Sequence, residues 1–264
     1  MADSNLLEVA SRNRLLATLP EETRRSLVGR MDRLDLDLRK VLHEPGEAVH
    51  YVYFPVSAAI SLVATNGDRH ALEVGATGRE GVIGLPVLLG NVRNTVLTIA
   101  QVRGEVLRMP AEEFRGVLKQ QPSFRLLLER YAGTMMAQLS QLMYCNHFHP
   151  VEERLCRWLL QVADRVDSTE FELTQEFLSW MLGVRRPTVT VVAGMLQTAG
   201  LITYRRGDIK LLNIDGLRSG ACECYEVMKQ QIEDLFTVPL AERRAPRNAG
   251  TDGSDSNPAR FVPA

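Results

Sequence analysis

The chain is poor in cysteine: its 264 residues hold four, Cys145, Cys156, Cys222 and Cys224, all in the second half. These are too few and too late to staple a small secreted fold, so a reducing compartment is expected. Long apolar runs are missing too. No stretch approaches the roughly 18 uninterrupted apolar residues of a membrane span. The opening MADSNLLEVASRNRLLATLP also lacks the basic-then-apolar pattern of a leader, which predicts a soluble, cytoplasmic protein with no membrane partner. Charge of one sign is absent as well, with 31 Lys plus Arg against 32 Asp plus Glu. No whole-chain attraction to nucleic acid follows, and any polyanion site must be local. Finally, there is no GxxxxGK[ST], no GxGxxG between strand and helix, no HExxH and no GxSxG. Neither enzyme chemistry nor a cofactor is expected.

What is present is enough apolar material, 45% against 24% charged residues, to bury a core in each of the two domains that the length favours. Between Val41 and Pro110 lie eight of the nineteen glycines, separating short segments rich in Val, Ile, Leu and Tyr. Strands are predicted over Ala48–Phe54, Ala59–Thr65, Ala71–Val74, Asn94–Val102 and Glu105–Met109. Asn66-Gly67 suits a type I′ hairpin turn, whose central positions both need positive φ. An antiparallel barrel or sandwich fits such a set.

From Pro122 the pattern turns helical for about 28 residues. Leu128, Met135 and Leu142 recur every seven residues, with Phe124, Tyr131, Gln138 and Cys145 four residues out of step, as in an a/d seam. That seam could pack on the chain's own β domain or on a second copy, and the homodimer is the favoured reading, with Gln138 helping to set register.

After Pro150 a helix is predicted over Val151–Val166, and then the most informative stretch begins. Thr174 reads as the N-cap of a short helix that Gly183 ends. A second helix starts almost at once with Pro187 at its first position, runs to Gly200, and places Val189, Val192, Ala193 and Leu196 on a buried face. Two helices joined by a short glycine-containing turn make a helix-turn-helix. Leu201–Tyr204 and Ile209–Leu212 then flank Arg205-Arg206-Gly207-Asp208, the strand, turn and strand of a wing. Residues 182–213 hold five cations (Arg185, Arg186, Arg205, Arg206, Lys210) against one acid, Asp208. This local basic cluster is what a phosphate-backbone footprint requires. Arg185, Arg186, Thr188, Thr190 and Val191 are placed to meet base edges, with Arg186 as the guanine reader. Arg205 and Arg206 are expected on phosphate, and Thr174 and Gln175 complete the DNA-binding set.

This order of parts resembles the Crp/Fnr family of bacterial transcription regulators. The resemblance covers residues 12–217 and rests most on LTQEFLSWMLGVRRPTVTVVAGMLQTAGLITY, with weaker matches at His43-Glu44-Pro45-Gly46-Glu47 and in the Leu15–Pro20 segment. It implies an α+β fold. An N-terminal β-roll sensor domain of jelly-roll type (12–121) is expected, followed by a long dimerisation helix (122–149), a C-terminal winged helix-turn-helix (150–217) and a disordered tail (241–264). The partners implied are double-stranded DNA, a second copy of the chain, RNA polymerase and a small-molecule effector.

Departures from the family bear on mechanism. Leu85 stands where cyclic-nucleotide-binding members have a ribose-holding glutamate, and Asn94 where they have a phosphate-holding arginine, with Arg93 a neighbouring substitute. Gly84, Leu85, Arg93, Asn94 and Thr95 are the candidate effector residues, and cyclic AMP in the usual pose is not expected because a desolvated phosphate needs a cation. Cys222-Glu223-Cys224, and Cys145 with His147 and His149, are two separate candidates for a metal or redox site. Neither spacing matches a zinc module, so no metal is expected. Two rival functions remain, a sensor acting by protein contact without an operator and a small-molecule enzyme using the β-domain cavity.

Overall fold

The computed structural model describes residues 2–66, 71–91 and 93–237. Three helices, α1 (Ala2–Ser11), α2 (Arg14–Ala17) and α3 (Glu21–Val28), precede β1 (Asp32–Leu36), β2 (Val41–His43), β3 (Tyr51–Pro55), β4 (Ala59–Thr65) and β5 (Ala71–Thr77). A short α4 (Leu85–Leu88) leads to β6 (Leu97–Val102), β7 (Gly104–Pro110) and α5 (Ala111–Gln120). Then come α6 (Pro122–Phe148), α7 (Val151–Val166), β8 (Glu170–Glu172), α8 (Gln175–Leu182) and α9 (Arg186–Thr198). The described chain ends with β9 (Ile202–Arg205), β10 (Asp208–Leu211), α10 (Ile214–Gly220) and α11 (Cys224–Thr237).

The glycine-punctuated segment forms two antiparallel sheets, ordered β1-β7-β3 and β2-β6-β4-β5. Leu36, Tyr53, Ala58, Ile60, Ile83, Ala100 and Val106 fill the space between them. The expected strands are present, with β1 and β2 in addition. Their alternation is weak because Asp32, Arg33 and Asp35 lie on an edge strand that pairs only with β7. Thr65 pairs with Ala71 at the end of the β4–β5 ladder. Gly67 itself and the 241–264 segment lie outside the described residues.

Helix α6 begins with Pro122 in its first turn, where a missing N–H costs nothing, and stops before Pro150. Its seam corrects the sequence reading. Phe124, Leu128, Tyr131, Met135, Gln138, Leu142 and Cys145 are all buried within one chain. Phe124 packs against Phe54 and Phe114, and Tyr131 Oη meets Thr77 Oγ1 at 3.0 Å. Gln138 Nε2 donates to the carbonyl of Met228 on α11 at 2.7 Å and so sets no register between copies. The face of α6 left exposed carries Leu126, Met136, Met143, Tyr144 and Phe148, with Met136 69% and Met143 75% accessible. Met136 and Met143 each lie one residue on from the seam residues Met135 and Leu142, a rotation of roughly 100°.

The β-roll and the C-terminal half share a core in which Ala59, Val63, Ile99 and Val102 meet Trp158, Leu159, Phe177 and Met181. One carboxylate is sealed inside this joint. Glu73, on β5, accepts hydrogen bonds from Ser61 Oγ (2.8 Å), Gln101 Nε2 (3.1 Å) and, across the joint, Trp158 Nε1 (3.0 Å). Burial pushes its pKa up, against the opposing charges of Arg165 and Arg157 and the bonds from Ser61 and Trp158. The folded protein therefore holds a proton on Glu73 at pH values where the unfolded chain has lost it, and stability falls as pH rises through that window. In thermal denaturation between pH 5 and 8, the native chain should lose stability relative to Glu73→Gln as pH rises. Glu73→Ala, which orphans the buried donors, should cost roughly 3 kcal/mol in urea denaturation.

Candidate functional site

The helix-turn-helix is built from local signals. Thr174 caps α8 by accepting from the Phe177 N–H at 3.2 Å, and Gly183 ends it in the left-handed region at φ 62°. Arg185 is extended and immediately precedes α9, whose first residue is Arg186; Pro187 therefore stands one position later than expected, still in the turn where its lost N–H is harmless. Val189, Val192, Ala193 and Leu196 bury the inner face of α9 against α7 and α8. On its outer face Arg185, Arg186, Thr188, Thr190 and Val191 are exposed, Val191 by 62%.

The wing follows by a two-residue turn. Arg205 pairs with Asp208, leaving Arg206 (φ 55°) and Gly207 (φ 98°) both left-handed at the tip, as a type I′ hairpin demands. β10 also pairs with β8, giving a three-stranded sheet that the sequence reading did not foresee because Glu170–Glu172 is only three residues long. A groove of about 290 Å³ runs between α9 and the wing, lined by Thr174, Gln175, Arg186, Tyr204, Arg206 and Gly207. Thr190 Oγ1 donates to Gln175 Oε1 at 3.0 Å, so these two polar groups share the face bearing the arginines. Tyr204 Oη is held by the Leu173 carbonyl at 2.9 Å, and burial pushes its pKa up to about 12 in spite of the Arg186 charge.

Two of the polar groups have partners within the chain. Lys210 Nζ pairs with Glu170 at 2.5 Å, which removes one cation from the basic cluster counted in sequence. Thr174 Oγ1 also accepts from Arg39 Nη2 of the β-roll at 2.6 Å, and Arg39 stands 3.5 Å from Glu176. The four arginines, Arg185, Arg186, Arg205 and Arg206, form no ion pair among the described residues.

In the β-roll, Gly84 adopts φ 110° and packs against Val52, so close that an added Cβ would lie 2.6 Å from it. Leu85 packs on the apolar core at the start of α4. Arg93 Nη1 donates to the Gly46 carbonyl at 2.6 Å, and the buried Asn94 amide donates to the Val96 carbonyl and to Thr98 Oγ1. Arg93 Nη1 and the Asn94 amide nitrogen are thus engaged within the roll, while the rest of the exposed Arg93 guanidinium makes no hydrogen bond among the described residues and Thr95 is exposed beside it. A separate cavity of about 220 Å³ lies beneath α11, lined by residues that include Arg14, Arg79, Arg165, Tyr225, Lys229 and Glu233.

A β-roll joined through a long helix to a winged helix-turn-helix with an arginine-tipped outer helix defines a class, the DNA-binding regulators with a sensor domain. Comparison with known proteins agrees. The Crp-like helix-turn-helix domain matches residues 153–219 and the cyclic nucleotide-binding domain matches residues 35–121. The chain belongs to the Crp/Fnr family of transcription regulators. It is similar to the global nitrogen regulator of Nostoc sp., at 23% identity over 180 residues, 64% of this chain and 80% of that protein. FixK2 from Bradyrhizobium japonicum shares the fold with a TM-score of 0.62 at 16% identity, over 73% of this chain and 98% of its own. The c-di-GMP responsive global regulator CLP of Xanthomonas campestris does so with a TM-score of 0.59 at 16% identity, over 74% of this chain and all of its own. No helix among the described residues is long and apolar enough to cross a membrane.

Because one hydroxyl both caps α8 and receives Arg39, Thr174→Ala should destabilise the protein by about 1 kcal/mol. Urea denaturation measures this, and an unchanged midpoint would remove Thr174 from the structural frame of the site.

Proposed function

We propose that this regulator binds a two-fold symmetric operator as a homodimer, inserting the N-terminal turn of α9 from each copy into successive major grooves. The observation that carries the reading is the pair Arg186 and Arg206, which line one groove between α9 and the wing, with Arg185 exposed just before α9 and Arg205 exposed on the wing; none of the four forms an ion pair among the described residues. Arg186 sits at the helix start with a free guanidinium fork, the shape that matches guanine O6 and N7. Thr188, Thr190 and Val191 lie along the same exposed face, where hydroxyls reach phosphates or base edges and the valine methyls meet thymine. Arg206, fixed at the wing tip, and Arg205 beside it reach the backbone. The Nostoc and Xanthomonas proteins named above are regulators, which favours this reading over an enzyme and over a sensor that acts without an operator. RNA polymerase is the further partner proposed.

Dimerisation uses the exposed stripe of α6. Gly133 and Ser140 alternate with Met136 and Met143 at heptad spacing, and an added Cβ on Gly133 meets nothing within 4 Å in a single chain. Small residues between two methionines let a second helix approach closely, and the pair of α6 helices then sets the separation of the two α9 helices at about 34 Å, one duplex turn. For the sensor domain we propose an effector other than cyclic AMP in its usual pose, because Leu85 offers no ribose acceptor and Asn94, at the place of the phosphate-holding arginine, carries no charge and spends its amide on Val96 and Thr98. An effector in the roll would act by shifting the population of dimer geometries.

Selection from a random duplex pool should return an inverted repeat with half-sites one turn apart; enrichment of no sequence at moderate salt would reject an operator. Arg186→Ala should cost about 1–3 kcal/mol and relax one base pair of that site, whereas Arg206→Ala should weaken all duplexes alike. Equal losses on every sequence for Arg186→Ala would displace it as the base reader. Met136→Glu with Met143→Glu should convert the dimer to a folded monomer in sedimentation. A dimer that survives this pair of changes would place the interface elsewhere.

A further inference from the structure

Four side chains, two near residue 145 and two near residue 223, meet at the hinge between α6 and α7. Cys145 and His149 lie four residues apart, one helical turn, at the end of α6. Cys222 and Cys224 flank the start of α11. Cys145 Sγ stands 3.5 Å from Cys222 Sγ, Cys224 Sγ stands 3.5 Å from His149 Nδ1, and all four donor atoms lie within 4.8 Å of one another. The three cysteines are buried, and only the imidazole retains partial exposure. His147, one residue short of the hinge helix's end, stays outside the group; its ring packs edge-on against Phe148.

This spacing suits a single metal ion. Zinc with sulfur ligands at about 2.3 Å and nitrogen at about 2.0 Å holds tetrahedral donors roughly 3.8 Å apart for two sulfurs and roughly 3.5 Å for sulfur and nitrogen. A disulfide needs a sulfur separation of about 2.05 Å, well under that between Cys145 and Cys222. A two-iron cluster would spread its ligands over two ions and needs a wider set.

The surroundings are arranged for the same chemistry. His149 turns Nδ1 to the sulfurs while Nε2 meets Glu223 Oε1 at 3.1 Å, the carboxylate–histidine pairing that orients a ligating imidazole. Gln141 Nε2 donates to Cys224 Sγ at 3.0 Å, a bond that favours a thiolate. Arg154 and Arg157 are buried beside the group, their charges reach Cys145, and neither makes an ion pair among the described residues. Three thiolates, a neutral imidazole and a divalent ion carry one net negative charge, which offsets such buried cations.

We propose that Cys145, His149, Cys222 and Cys224 bind one zinc ion in a closed four-ligand site that fastens the head of α11 to the α6–α7 hinge. Binding exchanges three thiol protons for one divalent cation, with no change in oxidation state. The filled site ties the carboxyl end of α6 to the strap that already takes Gln138 through the Met228 carbonyl and Arg14 through Glu233. It thereby fixes the direction in which α7 leaves α6.

The test is metal analysis of the full chain purified under reducing conditions and dialysed against metal-free buffer. The native chain should retain about one zinc per chain, Cys156→Ser, whose sulfur lies outside the group, should retain the same, and Cys222→Ser with Cys224→Ser should lose at least about tenfold. A second measurement needs no variant: zinc-stripped native chain titrated with Co²⁺ should develop the intense visible bands of tetrahedral cobalt together with a thiolate charge-transfer band, saturating near one equivalent. Absence of retained zinc together with a weak six-coordinate cobalt spectrum overturns the site. So does a mass two daltons lighter, showing a Cys145–Cys222 disulfide in freshly isolated, metal-free protein.

Discussion

The joint between the β-roll and the winged helix turns on a buried carboxylate. Glu73 lies on the outward side of β5, accepts from Ser61 and Gln101 of its own sheet, and takes the indole N–H of Trp158 from α7. Trp158 is buried almost completely, so its N–H has no route to water and must find an acceptor inside the protein. Around this polar node the apolar faces of β4 and β6 meet α7 and α8. The node dictates which faces may be apolar, because a carboxylate sealed by three donors is tolerable only if all three stay in place. Its neighbour, the buried pair Arg165–Glu80, works the same way: Glu80 also accepts from the Gly78 N–H, which holds the loop after β5 against the end of α7.

From that joint the division of labour along α6 follows. One stripe of the helix is occupied by the roll and by α11, which binds it through Gln138 and through Arg130 donating to the Leu235 carbonyl. A second stripe, with Met136 and Met143, is exposed, and it is the face proposed for a second copy. The helix is thus held on one side by its own chain and exposed on the other. The hinge after Phe148 is the point at which α7, and with it the whole helix-turn-helix, takes its direction.

Much of this was legible in sequence where one residue determines its own backbone. Thr174 as a cap, Gly183 as a stop, Pro187 in the first turn of a helix and Arg206-Gly207 as a tight turn are local choices, and each stands within a position of where the pattern put it. The seam of α6 was misread for a physical reason. Both stripes of the helix are apolar with heptad spacing, and periodicity reports that a face is buried without reporting what buries it. β8, α10 and α11 were not foreseen, being short or weakly patterned elements whose stability comes from packing on larger ones.

The sequence by itself determined the class of fold, the winged helix-turn-helix and its arginine-bearing face, since these depend on hydrophobic period, capping and charge within a few dozen residues. Only the tertiary structure decided which stripe of α6 is free, that Lys210 is neutralised by Glu170, and that cysteines and a histidine from two distant segments converge at one hinge. Those outcomes are contacts between residues far apart in the chain, and a local pattern carries no information about which distant side chain will arrive.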